Sequence, residues 1–319
     1  MNNKVFFKCL LVSLAMMLAV AACSSSGKSE DEAKPTIKLA QNNWLTSELN
    51  VAVAKILLED EMGYPVEATL YDPGDMFPAL ESGDLHAVPE IWPSARVQEI
   101  KDYTERGAAE NGGPLGVVGI QGWFMPRYVL DKYPLLATWK GLQDPELAAL
   151  FRTPETGDKG QLLLVDPEWA VHGPELIKGL DLPFQDVYAG SEEAVIAAVD
   201  EAYGKQEPIL FYFWTPHTIF AQYDLVIVEL PKYSEGCADT EAETGSRDCS
   251  FPPDVLLKLF SADLSDYAPD AHQFLKNFKY TNEDQIMMLG LVEIQGKTVE
   301  EAARTWIEQN ENVWRAWIP

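Results

Sequence analysis

The chain is short of the residues that usually carry chemistry. Among 319 residues there are four Cys and four His, and Lys+Arg total 24 against 50 Asp+Glu, for a formal charge of −26. The histidines, His86, His172, His217 and His272, are too few and too scattered for a His-rich metal site. Phosphate binding requires a basic footprint, so the charge excludes nucleic acid as a partner. G-x-S-x-G, H-E-x-x-H, the phosphate-binding P-loop and C-x-x-C are all missing. With so many acidic residues a carboxylate pair carries almost no information. Nothing specific therefore supports an enzyme or a cofactor, and a secreted hydrolase using paired carboxylates stands only as the alternative from a different class. What the chain does have is 47% apolar residues, enough for a packed core, and nine Trp. Its length suits two lobes of roughly 100–150 residues each.

The N-terminus reads as an export signal rather than as fold. Lys4 and Lys8 precede an apolar run from Cys9 to Ala22. That run is too short for a spanning helix, which takes about 20 residues. It ends Val20-Ala21-Ala22-Cys23 and is followed by small polar residues, as in a bacterial lipobox. Residues 1–22 are then a lipoprotein signal peptide, Cys23 the lipidated first residue, and 23–35 a flexible tether. The membrane is met through the lipid anchor only, and the protein is extracytoplasmic. Two cysteines remain, Cys237 and Cys249. In an oxidising compartment a disulfide is the default, closing a polar loop with a contribution of about 3 kcal/mol. Asp239, Glu241, Glu243 and Asp248 in that loop do not have EF-hand spacing, so no calcium site is expected.

After residue 35 the pattern is α/β. Residues 36–41 alternate as a strand, and Ser47 caps a helix over 48–62 that Gly63 ends. Residues 65–71 read as a strand with Val66, Ala68 and Leu70 on one face, 76–82 as a short helix, and 86–92 as a strand. This suggests a parallel sheet. Residues 116–122 lead into a crossover strand at 123–126, 162–165 read as a buried strand, and 192–203 as a helix capped by Ser191 and ended by Gly204. Ile209–Trp214 is a continuous apolar run suited to a central parallel strand. Residues 224–230 read as another strand, and Thr298 opens a helix to about residue 317 through a capping box. The fold class is two α/β lobes, 36–118 with 228–319 and 119–227, with strands crossing between them and a cleft between.

Three Trp sit at predicted strand ends in turn-rich contexts: Trp92 before Pro93, Trp169 after Asp166-Pro167-Glu168, and Trp214 before Thr215-Pro216-His217. Ligands of α/β sheets bind at the carboxyl ends of strands. Indoles converging there form a cage for a methylated ammonium, held by cation–π attraction of roughly 0.5–2 kcal/mol per ring. Trp44 either forms a fourth wall or packs. Trp123 reads as core, and Trp139, Trp306, Trp314 and Trp317 as packing.

The chain at this point resembles the substrate-binding proteins of ABC importers for glycine betaine and related quaternary amines. The resemblance covers roughly residues 36–317. It rests on Trp44 with its helix, Leu57–Val66, Ala79–Asp84 leading to Trp92-Pro93, Gly122–Pro126, Asp166–Trp169 and Glu207–His217. It implies the two-lobed, type II periplasmic-binding-protein fold and a cage on Trp92, Trp169 and Trp214. Trp92 would come from one lobe and the other two from its partner, so that ligand favours closure. It implies that backbone N–H groups of Ala170 and Val171 take a ligand carboxylate. His217 either donates to an anionic oxygen or is structural. The implied partners are a small methylated ammonium ligand, a transmembrane permease and its ATPase; a chemosensory receptor on the same fold is the variant without transport. Glycine betaine leads as ligand, with trimethylamine N-oxide, choline, carnitine and proline betaine behind it, and osmoprotection as the expected role. Glu90 departs from this order. Two residues before Trp92 it shares that residue's strand face. Pointing inward, it favours a bare cation or a protonated N-oxide; pointing outward, a betaine.

Overall fold

The computed structural model describes residues 33–169, 171–234, 236, 237 and 244–319. The expectations for the signal segment, Cys23, most of the tether, Ala170 and the acidic residues 239, 241 and 243 lie outside the described residues.

Nine strands among the described residues form one sheet. Alternating Ile37, Leu39 and Gln41 make β1 (Ile37–Gln41), which pairs in parallel with β2 (Val66–Leu70) and β3 (Ala87–Ile91). The helix Leu45–Asp60 crosses between β1 and β2 and buries Leu49, Val53, Ile56 and Leu57, as its periodicity requires. Gly63, at φ 69°, closes it. The helix starts before Ser47, however. Trp44 is its N-cap residue, because the Ser47 hydroxyl is turned back to accept from the Asn42 N–H at 2.9 Å. The three-residue shift places Trp44 at the mouth of the sheet. β2 is mostly exposed, so its Val66, Ala68, Leu70 face is not a core face.

The strand that organises the molecule is β4 (Ala109–Pro126), eighteen residues long. β5 (Gly160–Leu164), β6 (Phe184–Tyr188), β7 (Phe211–Thr215), β8 (Leu225–Ile227) and β9 (Asp254–Ser261) complete the sheet in the order β2-β1-β3-β9-β4-β7-β5-β6, with β8 also on β4. Up to Gly119, β4 pairs with β9; from Ile120 it pairs with β7, and from Phe124 with β8, all antiparallel. β7 is central and buried, parallel to β5 on one side only.

A hydrophobic core sits on each side of this exchange. One is drawn from residues 37–117 and 256–318, with Trp306, Trp314 and Trp317 inside it. The other is drawn from residues 123–251, with Trp123 fully buried. Val228, Leu230 and Phe251, which the division at 227/228 puts in the first lobe, pack in the second core. The return to the first half is made by β9, not by the 224–230 segment, which shortens to β8 on β4. Lys258 at the centre of β9 masked that strand's pattern; its ammonium is buried and caps the carbonyls of Lys276 and Phe278 at 2.8 and 2.6 Å. Three further differences are local. The helix Glu192–Lys205 runs past Gly204 to a left-handed Gln206. The C-terminal helix ends at Gln309, and two short turns carry Trp314 and Trp317 inward. The helices Pro269–Asn277 and Asn282–Glu293 complete the first core. Cys237 and Cys249 are joined, their Cα atoms 6.2 Å apart.

Candidate functional site

A cavity between the two cores is lined by Trp44, Glu90, Trp92, Trp169, Val171 and Trp214, with Arg96, Gln121 and Tyr212 among its other walls. The indoles follow one another edge to face: Trp44 to Trp169 at 5.1 Å, Trp169 to Trp214 at 5.4 Å, Trp214 to Trp92 at 6.4 Å between ring centres. Each arrives from a different element. Trp44 opens the first helix, Trp92 directly follows β3, Trp169 ends the turn Pro167–Trp169 after β5, and Trp214 lies within β7. Trp92 packs against both cores. It fits because β4 presents glycine beneath it: a Cβ at Gly119 would overlap its six-membered ring. Trp214 is itself a core residue, 4% exposed and stacked on Phe213.

The circle of indoles is closed by Glu90. Its Oε1 accepts from Trp44 Nε1 and Trp92 Nε1, each at 2.8 Å, and from the Thr46 hydroxyl at 3.1 Å, while Asn50 Nδ2 donates to Oε2. The side chain points inward, and Glu90 is 1% exposed. Burial pushes its carboxyl above the ordinary range against the pull of these donors, and Glu192 adds to the rise. Among the described residues no Lys, Arg or His forms an ion pair with it. A buried carboxylate without a counter-charge is costly. A cation entering the box would supply one.

Beside the box runs a polar network that sequence reading missed. Asp254 accepts from the Ser94 N–H at 2.8 Å, the Ser94 hydroxyl at 2.7 Å and Gln121 Nε2 at 2.5 Å, and the Tyr212 hydroxyl donates to Gln121 Oε1. Burial raises both Asp254 and Tyr212. Tyr212 was within reach of alternation, since it shares the face of Trp214 on β7. Gln121 and Asp254 had no local signal. Arg96, also unread, donates to the Glu168 carbonyl at 2.6 Å, and its Nε–H is buried without a partner.

His217 does not line the cavity. It lies behind Trp214, ring centres 5.9 Å apart, with its Nδ1 accepting from the Ile219 N–H at 3.1 Å and its Nε2 2.7 Å from Glu192 Oε1. That pattern puts the proton on Nε2. Glu192, His217 and Glu293 are close enough to hold a metal ion. Metal on Nε2 would move the proton to Nδ1, where it would face the Ile219 N–H. The Nδ1 contact is therefore at odds with a metal on Nε2, and the Thr218 hydroxyl donates to Glu293 across the halves.

An α/β chain with two cores joined through β4 and a cavity between them has the fold of the two-lobed periplasmic binding proteins. The family described as the substrate binding domain of ABC-type glycine betaine transport systems matches residues 35–309, and the chain belongs to it. It is a substrate-binding protein of an ABC importer for quaternary amines and similar compounds. The trimethylamine N-oxide-binding protein of Pelagibacter ubique is 26% identical over 95% of this chain and 98% of its own length. Two solved structures share the fold. Lactococcal OpuAC, closed on glycine betaine, is 18% identical with a TM-score of 0.70 over 90% of this chain and all of that one. A choline-binding ABC-transporter protein in complex with choline is 16% identical with a TM-score of 0.71, over 89% of this chain and 92% of that one. No helix among the described residues is long and apolar enough to cross a membrane.

Proposed function

We propose that this protein is an extracytoplasmic, Cys23-anchored receptor that delivers a small methylated amine to an ABC permease and its ATPase. The ligand sits among Trp44, Trp92, Trp169 and Trp214, and the two lobes close on it. Within this class the box suits trimethylamine N-oxide or a bare cation such as choline better than glycine betaine. Glu90 carries that choice. A betaine carboxylate would meet the carboxylate of Glu90 in a water-poor box, where like charges repel strongly. A quaternary cation would neutralise it. An N-oxide oxygen is a base in the carboxylic-acid range, so it and Glu90 can hold one proton between them, a strong charge-assisted hydrogen bond. The similarity to the trimethylamine N-oxide-binding relative supports the same direction. One observation favours glycine betaine as the second reading: the unpartnered Nε–H of Arg96 borders the same cavity and would suit a carboxylate.

Isothermal titration against trimethylamine N-oxide, choline, carnitine and glycine betaine tests the proposal. Tight binding of the N-oxide or choline, with weaker betaine, is expected. Betaine binding most tightly would return the choice to the second reading. No heat and no Trp fluorescence change with the whole panel would remove the cage reading altogether.

A further inference from the structure

The turn that carries Trp169 is gripped from the opposite half. Asn43 lies in the link between β1 and the first helix, on the side of the first core. Its Oδ1 accepts from Trp169 Nε1 at 2.8 Å, and its Nδ2 donates to Asp166 Oδ2 at 3.2 Å. Arg96, also from the first half, holds the Glu168 carbonyl of the same turn. Asp166 in turn accepts the Glu168 N–H on its other oxygen, Oδ1, at 2.9 Å, which fixes the turn's shape. Asn43 immediately precedes Trp44, so the residue that seats one indole wall is joined by a peptide bond to its neighbouring wall. Asn43 itself does not line the cavity.

We infer that Asn43 is a positioning residue that seats Trp169 only when the halves come together, so that the last wall of the box and the closed state form in one step. The inference rests on the cavity being the ligand site. Both hydrogen bonds join segments more than a hundred residues apart, and separation of the halves breaks both. Closing therefore restores the Trp169 orientation at the moment the ligand is enclosed. Such a contact acts on release more than on capture, because the encounter precedes it.

The test is an exchange of partners. Asn43→Asp keeps an acceptor for the Trp169 N–H but sets a carboxylate against Asp166, a repulsion present only in the closed state. Ligand dissociation should accelerate about tenfold, with association and the ranking of trimethylamine N-oxide, choline and glycine betaine unchanged. The melting temperature without ligand should stay at the wild-type value. Asn43→Asp combined with Asp166→Asn recreates the pair with donor and acceptor exchanged. The amide at 166 can still accept the Glu168 N–H, so dissociation should return to within about twofold of wild type. Unchanged dissociation in the single variant, failure of the exchange to rescue it, or a changed ligand ranking would each overturn the role of Asn43. Trp169→Ala, measured alongside, separates the two levels. Retained affinity there would mean the cavity is not the site; lost affinity there with a silent Asn43→Asp would remove Asn43 alone. If the wild-type protein binds none of the three compounds, the inference falls with the reading it rests on.

Discussion

Glu90→Gln changes one atom type at the floor of the box and leaves its shape. Without ligand the wild-type protein holds a carboxyl group that is 1% exposed, takes four donors and has no counter-ion among the described residues. At an effective dielectric near 20, a ligand cation about 4 Å away interacts with it by about 4 kcal/mol. Part of this is offset by removing the ligand's own hydration. Truncating one partner of a buried charge pair commonly costs 2–5 kcal/mol. For choline we therefore expect a loss of about 2–4 kcal/mol, roughly 30- to 1,000-fold in Kd. For glycine betaine the sign reverses, since the repulsion with its carboxylate disappears, and affinity should hold or rise. Proton linkage gives an independent reading. Burial raises the Glu90 carboxyl in the folded state, so the folded protein binds more protons than the unfolded chain just above the ordinary carboxylate range. That contribution to stability is full below the ordinary value and is lost as pH rises through the raised one. The ligand-free melting temperature should thus fall with pH in this window, and Glu90→Gln should flatten the slope. A fixed cation favours the ionised carboxyl, so choline binding should release protons. Titration in buffers of different ionisation heat measures that release. Equal weakening of choline and betaine by Glu90→Gln, with no proton release, would refute the reasoning.

Trp169→Ala should weaken binding at least tenfold with little loss of stability, because Trp169 is only partly buried. Trp214→Ala should lose stability as well, by about 3–5 kcal/mol, because that indole is core, so calorimetry on the ligand-binding role is better done with Trp214→Phe. Gly119→Ala should expel Trp92 from its seat and lower affinity for every methylamine. A crystal structure or quenching of Trp fluorescence would detect the displaced ring, and wild-type affinity would contradict the packing argument. Glu293 is held above its ordinary range by burial, with Glu192 and Glu193 adding to the rise while His217 opposes it. Separating the halves exposes it. Closure therefore takes up protons, and affinity should gain a component that grows as pH falls toward the ordinary carboxylate range and is absent in Glu293→Gln.

Much of the fold could be read along the chain because it is encoded at short range. The apolar spacing of Leu49, Val53, Ile56 and Leu57, the left-handed Gly63, the Thr298 capping box and the alternation of β1 each act within a few residues. Trp92, Trp169 and Trp214 stood out for the same reason, as large aromatics beside turn residues. Reading failed where tertiary contacts override the local pattern. Ser47 is a good cap by type, yet its hydroxyl serves Asn42. Lys258 breaks an apolar run that becomes a buried strand, because helix-end carbonyls wait for its ammonium. His217 follows Trp214 closely in sequence but turns away to Glu192.

By itself the sequence determined that the chain is α/β, acidic, rich in strand-end Trp and without the usual catalytic motifs. It also reduced the ligand question to the direction of Glu90. That direction was decided only by the tertiary structure. On an isolated strand, Glu90 has no reason to prefer one orientation over the other. The first helix, packed beside β3, brings Trp44, Thr46 and Asn50 within reach, residues 46, 44 and 40 positions away along the chain. With the neighbouring Trp92 they supply the hydrogen bonds that make a buried carboxylate tolerable and leave its charge facing the cavity.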